Sequence, residues 1–138
     1  MIPKYTLLIT IFLSSIITIS HSDRAEGRIG TVNRVPEVRY ESPEDEAEVD
    51  LKNKEVLTFT WRPTPIPAGG REGYRFKVFK GTGYDEIADE TLGPRTFSIK
   101  IPAGKFKNEQ TYSWQVQQRS RWQPKWSRDV FWTFKVRK

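Results

Sequence analysis

Five short runs of this chain alternate apolar and polar residues with a period of two, and that period constrains the fold more than any other feature. Successive side chains of a strand point to opposite faces. "VLTFTW" therefore places Leu57, Phe59 and Trp61 on one face. "YRFKVFK" sets Tyr74, Phe76 and Val78 against Arg75, Lys77 and Phe79. "TFSIKIP" directs Phe97, Ile99 and Ile101 inward, "TYSWQVQQR" directs Tyr112, Trp114 and Val116, and "VFWTFKV" directs Trp132, Phe134 and Val136. Two weaker runs, "EVRYE" from Glu37 and "YDEIADETL" from Tyr84, are read as a first strand and an edge strand. No stretch carries the 3.6-residue period of an amphipathic helix of about ten residues or more.

Between the runs lie "RPTPIPAGGREG", "GTG", "LGP" and "PAGKFKNEQ", all proline and glycine turn chemistry. About seven short strands within about 100 residues predict an all-β, seven-stranded antiparallel sandwich, with one face of each sheet buried and one wet. Trp61, Tyr74, Tyr112, Trp114 and Phe134 are its expected core. Cysteine is absent, which excludes disulfides, thiolate metal sites and a thiol nucleophile. The core alone must hold the fold.

The N-terminus differs in texture from the rest. Lys4 precedes the apolar run Leu7 to Ile19, and "SHS" then offers small residues before Asp23. That layout predicts a cleaved signal peptide over residues 1–22. The apolar run falls short of the roughly 18 to 20 residues a bilayer span requires, so a retained anchor is the alternative. Residues 23–36 mix glycine with charges and read as a flexible leader to a domain over residues 37–138. The expected location is secreted or cell envelope, with membrane attachment only if the N-terminal segment is kept.

The net charge of +6 is divided unevenly. From Arg95 onward there are eleven basic residues against two acidic ones, Glu109 and Asp129. A basic half favours acidic partners, although exposed cations also serve solubility. The only histidine, His21, lies in the predicted signal, so no nucleophile–base pair of the triad kind is available. The chain is read as non-catalytic, without cofactor. Asp85, Glu86, Asp89 and Glu90 lack the spacing of a calcium loop and read as a solvated edge or loop, and no metal site is assigned. The acidic run Glu41 to Asp50 reads as a soluble turn.

From Pro36 to Lys138 the residues resemble the fibronectin type III family. The likeness rests on Trp61 in "LTFTW", Tyr74 in "YRFKVF", Phe106 and Tyr112 in "FKNEQTYSWQV", the closing "WTFKV", and the proline-containing "ESPEDEAEVD". It implies an immunoglobulin-like sandwich in which the Tyr112 hydroxyl bonds backbone a few residues upstream. It also implies a non-catalytic module that binds proteins or acts as a spacer in secreted and surface proteins. No Arg-Gly-Asp tripeptide is present, so the integrin-binding role of some members is not implied.

"RWQPKWS" is similar to the WSXWS box of cytokine-receptor members, with Trp122 and Trp126 four apart and Gln123 in place of the first serine. The resemblance implies a stack in which Arg119, Arg121 and Arg128, with Arg75 or Lys77, alternate with Trp122 and Trp126. Each such cation–π contact contributes about 0.5 to 1 kcal/mol when exposed. The competing reading is a sugar platform of Trp122, Trp126 and Phe131, with Gln115, Gln117, Gln118 and Gln123 as hydrogen bonders. Binding of a protein through the same face is a third reading, and export makes nucleic acid an unexpected partner. The signal reading has a direct check: mass spectrometry of the exported protein should find an N-terminus at or near Asp23, whereas intact chain in membranes alone would contradict cleavage.

Overall fold

Pro43 decides where the first strand goes. It carries no N–H and so cannot extend a ladder as a donor. In the computed structural model, which describes residues 34–66 and 70–138, β1 (Arg39–Ser42) ends just before it and β2 (Ala47–Asp50) begins just after it. The two pieces join different sheets. The remaining strands are β3 (Val56–Arg62), β4 (Arg71–Lys80), β5 (Asp85–Leu92), β6 (Ser98–Pro102), β7 (Thr111–Ser120) and β8 (Trp132–Arg137), with one 3-10 turn at Ala103–Lys105. One sheet has the order β1-β3-β6 and the other β2-β8-β7-β4-β5.

Among the described residues the architecture is therefore an all-β sandwich of eight strands rather than seven. It is also not wholly antiparallel, because β2 pairs with β8 in parallel from Ala47↔Phe134 to Asp50↔Arg137. Both corrections follow from the crossing at Pro43. The acidic run expected to be a turn contributes the strand β2. The predicted signal and all of the leader up to residue 33 lie outside the described residues. Val35 to Lys138 form one compact unit, so Val35 and Pro36, assigned to the leader from sequence, belong to the sandwich.

Between the sheets the expected alternation is filled by rings. Trp61, Tyr74, Tyr112, Trp114 and Phe134 are all fully buried. Phe59 reaches across from β3 with its ring centroid 5.0 Å from Phe76, 5.3 Å from Trp114 and 5.7 Å from Phe134, each pair edge to face. Such pairs add about 0.5 to 1.5 kcal/mol beyond area burial. Tyr112 accepts a hydrogen bond from the Lys107 N–H at 2.7 Å, five residues upstream, as expected of it. Two expected orientations change. Phe97 precedes β6 and is 45% exposed, with its ring edge-to-face against Tyr74. Phe79, expected on the wet face, is buried against Phe131 after a bulge at Val78/Phe79.

Tyr40 on β1 links the two sheets. Its ring lies 4.6 Å from Trp114 and 5.1 Å from Trp132. Its hydroxyl accepts from the Val116 N–H at 2.8 Å and donates to the Val130 carbonyl at 2.5 Å. Burial holds that hydroxyl protonated far above the usual tyrosine range. Tyr40→Phe leaves both backbone groups without this partner and should lower the unfolding free energy by about 1 to 3 kcal/mol in urea. Since the folded-state ionisation is raised, the wild-type contribution is complete below about pH 10 and is lost as pH rises above it. An unchanged urea midpoint in Tyr40→Phe would contradict this role.

Candidate functional site

β7 is buried on both faces, although its sequence alternates. Tyr112, Trp114, Val116 and Gln118 point to the core, while Ser113, Gln115 and Gln117 on the other face are buried as well. The returning chain from Arg121 to Phe131 supplies partners for this second face. Ser127 donates its N–H to the Gln118 carbonyl at 2.9 Å, and its Oγ accepts the Gln118 N–H at 3.0 Å. A serine hydroxyl thus stands where a strand carbonyl would. Gln117 Nε2 donates to the Ser127 carbonyl at 2.8 Å and to Asp129 Oδ1 at 2.7 Å, and Gln115 Nε2 donates to Gln117 Oε1.

Register shows how the return is built. Arg119 pairs with Trp126 in an isolated bridge, and Trp114 pairs with Trp132 in the β7–β8 ladder. Five positions separate the pairs on β7 and six on the returning chain, so one extra residue is accommodated as a bulge. Beyond the bridge the chain turns through Arg121 to Lys125. Arg121 donates its N–H to the Gly70 carbonyl at 3.2 Å, Trp122 to Ser120 Oγ at 3.2 Å, and Lys125 to the Gln123 carbonyl at 2.7 Å. The tip is tied at both roots.

Of the expected stack, one rung forms. The Arg119 guanidinium lies 5.6 Å from the Trp126 ring centroid. Its Nε is 3.0 Å from the Glu72 carboxylate, an ion pair without an in-line hydrogen bond. Trp126 is half-buried, whereas Trp122 is 75% exposed and outside any stack. Arg121 is exposed. Arg128 pairs instead with Glu37 at 2.8 Å, Arg75 with both oxygens of Asp89 at 3.2 and 3.0 Å, and Lys77 with Glu86 at 3.1 Å. The hydrogen bond from Arg75 holds the Asp89 carboxyl below its ordinary range and raises the guanidinium. A charge-assisted, bidentate bond outcompetes a cation–π contact of about 0.5 to 1 kcal/mol. Sequence reasoning set β5 aside as solvated edge, and β5 is what draws the β4 cations away.

Phe131 does not join an aromatic platform with Trp126. Trp126 stands opposite Arg119, whereas Phe131 packs on Phe79, which pairs with Ser113. Six strand residues separate those β7 positions, roughly 20 Å. One sugar ring cannot lie across both.

A polar hub that the sequence reading did not identify sits beneath the tip. Gln118 is fully buried. Its Nε2 donates to the Pro36 carbonyl at 2.6 Å and Thr64 Oγ1 at 2.7 Å, and its Oε1 accepts from Arg71 Nε at 3.1 Å. Arg71 also donates to the Thr64 carbonyl at 2.8 Å and lies 5.4 Å from the Tyr74 ring centroid. The signal was present: Gln118 occupies the next inward position after Tyr112, Trp114 and Val116.

No protein-family model matches the chain, and no curated protein matches it. Among solved structures it is similar to a computationally redesigned β-sandwich protein, with a TM-score of 0.52 over 78% of this chain and 93% of that chain at 16% identity. That likeness shows the β-sandwich fold.

Trp126→Ala removes a half-buried ring and its one cation partner. It should cost about 1 to 3 kcal/mol, with a coupling to Arg119→Ala of about 0.5 to 1 kcal/mol in a double-mutant cycle. Strict additivity of the two changes would contradict the rung.

Proposed function

We propose that the chain is a non-catalytic, exported module of the fibronectin type III kind that binds a protein partner through the Arg121–Lys125 tip. The observation that carries the reading is Trp122, 75% exposed on a turn whose backbone is bonded at both roots. Large aromatics beside arginines are the residues that dominate binding energy at interfaces. Holding the backbone that carries the ring in place beforehand reduces the ordering cost of association. Arg121 and Lys125 flank it, both exposed, and favour a partner with an acidic rim through faster encounter.

Several features support the family reading. The sheets β1-β3-β6 and β2-β8-β7-β4-β5, the Tyr112 bond to the Lys107 amide, and the Ser127 hydroxyl in the ladder all accord with it. A glycan platform is less well supported, because Trp126 and Phe131 do not extend a row of rings from Trp122. The spacer reading needs no exposed ring. The predicted signal peptide carries the proposal of export to the envelope or extracellular space.

Crosslinking pull-down from envelope extract tests the reading. Wild-type protein should recover a saturable protein partner at physiological salt. Trp122→Ala should lose it, while its melting temperature stays near wild type, as exposed substitutions generally shift stability by no more than about 0.5 kcal/mol. Equal recovery by Trp122→Ala, or no saturable partner, would contradict it.

A further inference from the structure

β3 is longer than the strand that covers it. β1 pairs with β3 only through Arg39↔Arg62, Tyr40↔Trp61 and Ser42↔Thr60, and then the chain crosses to β8. On its other side β3 is paired with β6 along Val56 to Thr60. The Trp61 N–H points to the β6 side, donating to the Phe97 carbonyl at 3.1 Å. Backbone groups of an antiparallel strand alternate sides along the chain. The N–H and C=O groups of Val56 and Thr58 therefore point away from β6, towards the side that β1 has left. Among the described residues no strand pairs with them there.

Those groups face a groove of about 610 Å³ bounded by the β1–β2 crossing and by β3, within the size range of ligand clefts. Its apolar lining comes from Val49, Val56 and Leu57, with Val56 39% exposed. Four carboxylates, Glu41, Glu44, Glu48 and Asp50, line it against one ammonium, Lys54. Glu41 and Glu48 pair with the exposed Arg62 and Arg137, contacts of the exchangeable surface kind. Among the described residues β2 pairs with β8 alone, which leaves its other edge without a strand.

We propose that this groove takes an extended peptide segment of a partner protein, in which lysine or arginine alternates with apolar residues, added as a strand beside β3 at Val56 and Thr58. Main-chain bonds to an open strand edge supply affinity in this mode, and alternate side chains supply selectivity. The apolar side chains of the segment, all on its core-facing side, meet Val49 and Leu57, and its cations, on the opposite face, meet the carboxylates. A second copy offering its own β2 would set Glu48 and Asp50 against the same acidic lining, which like-charge repulsion disfavours. The groove and the Trp122 tip share no residue, so the two proposals stand or fall separately.

The test titrates the protein with the synthetic peptide acetyl-KVKVK-amide and follows backbone amide exchange by NMR. Saturation should slow exchange at Val56 and Thr58 by more than about tenfold. The double variant Glu44→Lys with Glu48→Lys should weaken binding by about tenfold or more at unchanged melting temperature. Acetyl-EVEVE-amide should not bind, and a KVKVK peptide N-methylated on alternate amides should bind far more weakly. Absence of saturable KVKVK binding up to about 1 mM would overturn the proposal. So would binding without protection at Val56 and Thr58, or equal binding of the N-methylated peptide.

Discussion

The side-chain amide of Gln118 points into the sandwich and is shut off from water, so each of its polar atoms must find a partner in the protein. Its Nε2 and Oε1 do so by gathering the Pro36 carbonyl, the Thr64 hydroxyl and the Arg71 guanidinium around one end of β7. Thr64 Oγ1 in turn donates to the Glu37 carbonyl at 2.6 Å. Four separate stretches of chain are fixed to one another by this group. An apolar residue at Gln118 would fill the same space but leave those partners unsatisfied, with a penalty of about 1 to 3 kcal/mol for each group left unpaired.

That arrangement determines what the tip can be. The backbone N–H and carbonyl of Gln118 both bond Ser127, and its neighbour Gln117 holds Ser127 and Asp129. Tyr40 reaches over from the other sheet to bond Val116 and Val130. The returning chain is therefore fastened where it passes β7, and the exposed turn from Arg121 to Lys125 starts and ends at fixed points. Carboxylates distribute the cations around it. Glu72, Glu37, Asp89 and Glu86 take Arg119, Arg128, Arg75 and Lys77, which leaves Arg121 and Lys125 beside Trp122 as the charged rim of the tip.

Period-two alternation was enough to recover the two-layer class and the central core, because a half-buried strand writes its buried face into every second residue. Trp61, Tyr74, Tyr112, Trp114 and Phe134 were legible for that reason. The alternation did not reveal the strand split at Pro43, since β2 spans only four residues and its half-buried face consists of Ala47 and Val49 alone, set among acidic neighbours. It also missed the second burial of β7, because Ser113, Gln115 and Gln117 are polar residues buried by hydrogen bonds rather than by hydrophobicity. The aromatic–cation segment suggested a stack of several rungs. Which cation meets which ring depends on carboxylates of β5, on Glu72 and on Glu37 ahead of β1, and a linear pattern contains no such information. Gln118 at an inward position was the one visible clue to the hub.

The central claim is that this hub and the bulge hold Trp122 in place before any partner arrives. Backbone 15N relaxation of the free protein measures that most directly. Order parameters near 0.8 or above, close to the rigid-backbone value, are expected for Arg121 and Trp122. Values below about 0.6 at those amides, the range of flexible loops, would contradict it.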